Sequence, residues 1–295
     1  MKIERLKDNP KISLIPESEV SVKECGNHTE VKYAINRTGG NIVKINKDYY
    51  CDVRTGELKE YNHNATSRKD NKSSVKRTMK NLRDIINTNI TDYKKVLFIT
   101  LTYKENMTDS QKLYQDVRKF HQKLKRWLKK NNLPCQFEVI STTECQARGC
   151  YHQHNLYIFK CNAPFIPNDT LAKIWGHGFT KTKSLKNVDN IGMYLTAYLT
   201  DLDLSEELSK SCKKVDKAII KGARLKLYPK GFRIYRCSKG IKRPNIYKTT
   251  EEDAMQKVSN SVLTYEKTLR ISNYDGKTIN IINYRNFMKI TKKRK

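Results

Sequence analysis

Residues 136–159 read QFEVISTTECQARGCYHQHNLYIF. Gln136 to Thr143 and His152 to Phe159 are rich in β-branched and aromatic residues, and Ala147-Arg148-Gly149 supplies turn chemistry between them. The stretch predicts two antiparallel strands. Side chains alternate along a strand, so His152 and His154 point to one face, and the preceding strand can bring Glu144 across to them. Two imidazoles and a carboxylate on one face are a donor set for a divalent cation such as Mg²⁺ or Mn²⁺. Two other assignments compete. The histidines can be ordinary half-exposed strand residues. Cys145, Cys150, His152 and His154 also have the right chemistry for structural zinc, but no tight C-x2-4-C knuckle, and Cys145 follows Glu144 and so faces the other way.

Working outward, VLFITLTY (96–103) is apolar and β-branched and predicts a buried strand. Val75, Met79, Leu82 and Ile86 recur at helical spacing, with Ser73 or Ser74 as N-cap. Thr108-x-x-Gln111 has the form of a capping box opening a helix whose apolar stripe is Leu113, Val117, Phe120, Leu124 and Trp127. Lys123, Arg126 and Lys130 lie mostly off that stripe and, with Arg148, are candidate contacts for a polyanion. Asn168–Trp175 predicts a short helix closed by Gly176, and 188–203 a longer one capped by Asp189. That second helix carries Tyr194 and Tyr198 one turn apart, hence on one face. Ile191, Leu195, Leu199 and Leu202 can form its core stripe without them, which leaves the phenols for a cleft; aromatic packing is the alternative. Leu225 to Arg236 reads as extended, and Leu263–Ser272 pairs through Asp275-Gly276 with Thr278–Tyr284 as a hairpin. Two weak strand-like runs lie between Val31 and Tyr50 around Gly39-Gly40. Residues 62–74 form a polar linker and Lys289–Lys295 a basic tail. Strands and helices mix without strict alternation, which implies an α+β fold with an antiparallel sheet. The organisation expected is an N-terminal extension (1–62), a principal domain (75–245) and a C-terminal hairpin with tail (246–295).

The 295 residues carry 59 Lys and Arg against 30 Asp and Glu, a formal charge of +29. That excess implies a polyanionic partner, nucleic acid first and an anionic membrane surface second, although part of it is compositional bias towards lysine. No apolar run approaches the ~20 residues of a membrane span, and the N-terminus has no signal-peptide pattern, so a cytoplasmic protein without membrane partners is expected. The eight cysteines form no C-x-x-C pair and are expected to be reduced. Gly276-Lys277-Thr278 imitates the end of a P-loop, but Ile271 stands where its first glycine belongs, so no ATPase is visible.

Taken together, three segments resemble the rolling-circle replication initiators of the HUH endonuclease superfamily, and most of all the replication proteins of phages and plasmids of low-GC Gram-positive bacteria. FITLTY (98–103) is similar to the first motif of that group, Glu144 with His152-Gln153-His154 to its metal motif, and Tyr194-x3-Tyr198 to its tyrosine motif. GARLKLYPKGFRIYRCSKG (222–240) also resembles the phage and plasmid members, and the likeness spans residues 75–245. It implies a palm-like sheet flanked by helices, as in RRM folds. It implies that Glu144, His152 and His154 bind Mg²⁺ or Mn²⁺ and that Tyr194 or Tyr198 attacks single-stranded or hairpin origin DNA. The products are a 5′-phosphotyrosine and a 3′-hydroxyl primer, with host helicase and polymerase as partners. Two departures stand out. Gln153 occupies a position that is usually hydrophobic. Ala197 and Asp201 occupy positions where a lysine often follows each tyrosine, so Asp201 or one of Lys181, Lys183 and Lys186 is the candidate accessory group. Single-strand transposases, relaxases and a non-catalytic DNA-binding regulator carry similar motifs and are the rival readings.

Overall fold

The computed structural model describes residues 2–6, 14–36, 42–52, 56–61, 63–64, 66–146, 149–186, 188, 190–199, 225–273 and 275–290, without the side chains of 71–73 and 196–199. The expected turn at Gly39-Gly40, the Asp189 cap, Arg148, Ala197, Asp201, the side chain of Tyr198 and the last residues of the basic tail lie outside that description. In chain order the elements are β1 (Lys2–Arg5), β2 (Glu19–Cys25), β3 (His28–Ala34), β4 (Ile42–Lys44), β5 (Tyr49–Asp52), β6 (Glu57–Glu60), α1 (Lys72–Asn89), β7 (Val96–Thr102), α2 (Ser110–Lys130), β8 (Phe137–Cys145), β9 (Tyr151–Phe159), α3 (Asn168–Trp175), β10 (Thr180–Lys183), α4 (Ile191–Leu199), β11 (Tyr235–Cys237), β12 (Asn245–Thr250), α5 (Glu251–Lys257), β13 (Ser261–Ser272) and β14 (Thr278–Lys289). The fold is α+β with antiparallel sheets, as the mixed order of elements implies. No described helix is long and apolar enough to cross a membrane.

The chain divides into a central unit, residues 66–243, and an end unit made of residues 1–65 with 244–295. In the end unit a six-stranded sheet runs in the order β1-β13-β14-β3-β2-β12. The hairpin at Asp275-Gly276 forms, with Gly276 at φ 80° as such a turn requires. Val20, Val22, Val31 and Phe287 pack with Ala254 and Val258. Arg285 grips Glu251 of α5 with both guanidinium nitrogens, at 2.5 and 2.6 Å. The strands β4, β5 and β6 form a separate small sheet.

The central unit is built on a five-stranded antiparallel sheet in the order β10-β7-β9-β8-β11. Its core takes Val75, Met79, Leu82 and Ile86 from α1, Phe98, Ile99 and Leu101 from β7, and Leu113, Val117, Phe120, Leu124 and Leu128 from α2. Trp127, expected on the α2 stripe, is only half-buried; after Leu124 the 3.6-residue period brings Leu128 inward instead. The cap of α2 is Asp109, one residue past Thr108, because its carboxylate accepts from the Gln111 and Lys112 amides at 2.7 and 3.2 Å. Helix α1 starts at Lys72, ahead of the serines expected to cap it, since a 3₁₀ turn at Arg68–Asn71 leads into it. Leu225 to Arg236 is not extended as expected. It opens with a 3₁₀ turn (Leu225–Leu227) and bends at Pro229 and Gly231, whose φ is 75°, and only Tyr235–Cys237 pairs with β8.

On the α2 side of this sheet His121 meets Tyr157 edge-on, with ring centroids 5.5 Å apart. Burial pushes the His121 pKa down from 6.5 to about 4, with the Lys125 ammonium adding to the effect and Asn155 opposing it. The unfolded chain therefore takes up this proton first as the pH drops. Stability linked to His121 is complete above pH 6.5 and is lost as the pH falls towards 4, on the order of 3 kcal/mol in all. Acid titration of the thermal midpoint should show this slope, and His121→Phe should flatten it; an unchanged slope in the variant would assign the effect elsewhere.

Candidate functional site

The register of β8 and β9 sets Glu144 opposite His152 and Thr142 opposite His154, and Thr100 of β7 lies opposite His154 on its other side. Directly opposed residues share a face, so Thr100, Glu144, His152 and His154 stand together on one side of the sheet. His154 is 2% exposed and Glu144 7%. The Nε2 of His154 lies 2.8 Å from Oε2 of Glu144, and its Nδ1 lies 3.0 Å from the Thr100 hydroxyl. An ionised carboxylate only accepts, so Nε2 carries the proton and Nδ1 accepts from Thr100. If a cation took the Nε2 lone pair, the proton would move to Nδ1 and Thr100 would become the acceptor. One threonine thus orients the ring in either tautomer.

The donor chemistry of this pair suits a divalent cation, one nitrogen and one oxygen already converging. His152 shares the face, but among the described residues no group of three His, Cys, Asp or Glu side chains is gathered as a ligand set. The zinc alternative fares no better. Cys145 lies on the opposite face, where its backbone amide donates to the Tyr228 hydroxyl at 2.8 Å, and the Cys150 thiol points to the Glu105 carbonyl, 3.8 Å away.

The tyrosine helix reaches the same face through β10. Lys183 pairs with Phe98, whose ring centroid lies 6.0 Å from that of His154. The Lys183 ammonium donates to the Tyr194 phenol oxygen at 3.3 Å. Of the three lysines the sequence offers, Lys181 and Lys186 are exposed and Lys183 is the half-buried one that touches the phenol. Ile191 and Leu195 are buried as the core stripe of α4, while Tyr194 is only partly covered. The helix lies close against α1 at Gly192, whose amide donates to Asn87 at 2.9 Å. A Cβ at Gly192 would come 2.5 Å from the Asn87 side-chain oxygen and 2.6 Å from the Arg83 carbonyl.

Lys123, Arg126 and Lys130 are exposed on α2, and the first two border a shallow cleft of ≈ 460 Å³ with Trp127 and Lys173. Gln153 turns away from the histidines and accepts from Thr143 at 2.9 Å on the other face. It lines a larger groove there that sequence patterning does not reveal, because the lining residues are scattered from 68 to 243.

Residues 96–203 match the family model of the replication-associated proteins of the ORF2 type. The matched span opens on β7, contains Glu144, His152, His154 and Lys183, and closes just past the two tyrosines. No curated protein and no solved structure matches the chain. The family match supports a protein of the replication-initiator type, with a role in DNA replication.

Proposed function

We propose that this chain starts DNA replication by nicking and later rejoining one strand of an origin, with Tyr194 as the first nucleophile. The observation that carries the reading is the Lys183–Tyr194 contact on the sheet face that also bears the Glu144–His154 pair. Lys183 has only donors to offer, so the phenol oxygen accepts from it and its own proton is left to leave in another direction. The phenol oxygen forms a bond to phosphorus as the bond from phosphorus to O3′ breaks. The phenol proton ends on the departing 3′-hydroxyl, which is then a primer, and the 5′-phosphate stays on the tyrosine. Lys183 fixes the attacking oxygen and offers positive charge to the incoming phosphate. Glu144, His152 and His154 would hold Mg²⁺ or Mn²⁺, which when bound supplies Lewis-acid polarisation of the phosphate. Thr100 keeps the His154 ring in place. Tyr198 is available for a second transfer, which closes the circle after one round. Strand separation and synthesis fall to host helicase and polymerase, in the cytoplasm.

A DNA-binding regulator without nicking activity is the second reading, favoured by the absence of an assembled three-ligand group among the described residues. One experiment separates them. With Mn²⁺ and a labelled single-stranded origin oligonucleotide, the wild type should form a covalent adduct on the 5′-phosphate side. Tyr194→Phe with Tyr198→Phe should lose the adduct and keep the affinity. An adduct that persists in the double variant removes the tyrosine mechanism; a wild type that binds and never nicks establishes the regulator.

A further inference from the structure

The largest cavity in the described residues lies on the sheet face turned away from the histidines. It has a volume of ≈ 1100 Å³ and runs between α2 and the β8–β11 edge. Its floor is neutral and polar. Ser141 donates to the Asn155 amide oxygen at 2.6 Å and Thr143 to the Gln153 amide oxygen at 2.9 Å. Each hydroxyl engages the oxygen end of an amide, so the NH₂ ends are what these side chains present for further bonding. His121, which lines the α2 wall, is uncharged at neutral pH because burial pushes its pKa down to about 4.

The rim is different. Arg118, Lys125, Lys230, Arg233 and Arg236 are exposed along it, and no Asp or Glu lines the groove. Aromatic surface is interleaved with the charge. Tyr114, Phe232 and Tyr235 line the groove, and Tyr114 is 49% exposed. The Arg236 guanidinium lies 4.4 Å from the Tyr114 ring centroid and the Lys125 ammonium 4.9 Å from that of Phe137. A guanidinium stacked on a ring still presents its outer planar face. Cations at the rim, aromatic faces between them and neutral donors and acceptors beneath are the combination that holds a polynucleotide strand. The phosphates go to the rim, the base planes to the rings, and the base edges to the amides and hydroxyls. At ≈ 1100 Å³ the groove exceeds the usual span of a small-molecule pocket, so an extended ligand suits it better than one nucleotide.

We propose that this groove is a second DNA-binding site, for a single strand with unstacked bases, separate from the tyrosine face. The proposal rests on the reading of the chain as a protein that acts on DNA. It makes the sheet two-sided: one face carries the candidate chemistry, and the other holds strand that is not being cut.

The test uses the full wild-type chain with EDTA present and thymidine oligonucleotides carrying 4-thiothymidine. After irradiation, peptide mapping should find cross-links at Tyr114, Phe232 or Tyr235. In parallel, Arg118→Glu with Arg236→Glu should weaken single-strand binding at least tenfold at about 0.1 M salt. It should also reduce the slope of log affinity against log salt by about 1.4, the share of two phosphate contacts on a single strand. Cross-links confined to the histidine face, with wild-type affinity in the double variant, would overturn the groove and leave the replication reading standing. Preference for duplex over single strand would also overturn it. No binding of single strands at all would remove both.

Discussion

His154→Ala should cut the rate of oligonucleotide nicking at least 100-fold and abolish Mn²⁺ binding measured by calorimetry. The expectation follows from how the ring is held. Both nitrogens are engaged, Nδ1 by Thr100 at 3.0 Å and Nε2 by Glu144 at 2.8 Å, in a setting that is 2% exposed. Even groups that only orient a metal ligand cost roughly 10- to 100-fold when removed, so a ligand itself should cost more. Removing one partner of a buried hydrogen bond also costs about 1–3 kcal/mol of stability. His154→Gln, which retains a side-chain donor, therefore serves as the control for folding. His152→Ala should lose nicking and metal affinity as well, if the third ligand joins when the cation and DNA arrive. Full nicking by a folded His154→Ala protein would refute the proposed ion site.

Gly192→Ala should destabilise the central unit, and here two effects of opposite sign compete. Alanine is a better helix former than glycine by about 1 kcal/mol, which alone would raise the thermal midpoint. Against it, the new methyl would lie 2.5 Å from the Asn87 side-chain oxygen and 2.6 Å from the Arg83 carbonyl. The amide could rotate away, but the carbonyl is helix backbone and cannot. Overpacking of this kind costs about 1–3 kcal/mol, and the Gly192–Asn87 hydrogen bond is strained with it. The clash wins, and the midpoint should fall by roughly 5 °C. The larger effect should be on function, because α4 can relieve the contact only by moving off α1, which carries Tyr194 away from Lys183. A midpoint that rises in Gly192→Ala would mean that α4 and α1 are not this close.

Most of the segment from 75 to 175 is legible from sequence because its periods are clean. The β8–β9 pairing and α3 with its Gly176 stop follow directly from alternation, helical spacing and a residue that tolerates φ 73°. The grouping of Glu144 with His154 is legible for the same reason, since alternation along two paired strands fixes the face. Less can be read where contacts are non-local. Strand β1 pairs with β13 in the register Lys2 to Ser272, and no local pattern announces a partner so far along the chain. The β12–β2 pairing is equally remote. Choosing Lys183 over Lys181 and Lys186 depends on where β10 ends relative to α4, which is a matter of packing. Gln153 looks unimportant beside two histidines, because its neighbours across the groove, Thr143, His121 and Phe232, come from three other parts of the sequence.

The sheet that joins the two ends of the chain also sets an order of events during translation. Residues 66–243 can leave the ribosome and close their own five strands while β12, β13 and β14 are still unmade. The hairpin of β2 and β3, although synthesised first, must wait with its outer edges open until more than two hundred further residues have been added. At about 5–20 residues per second that wait lasts at least ten seconds. The part of the molecule that begins to appear first is therefore the last to be completed.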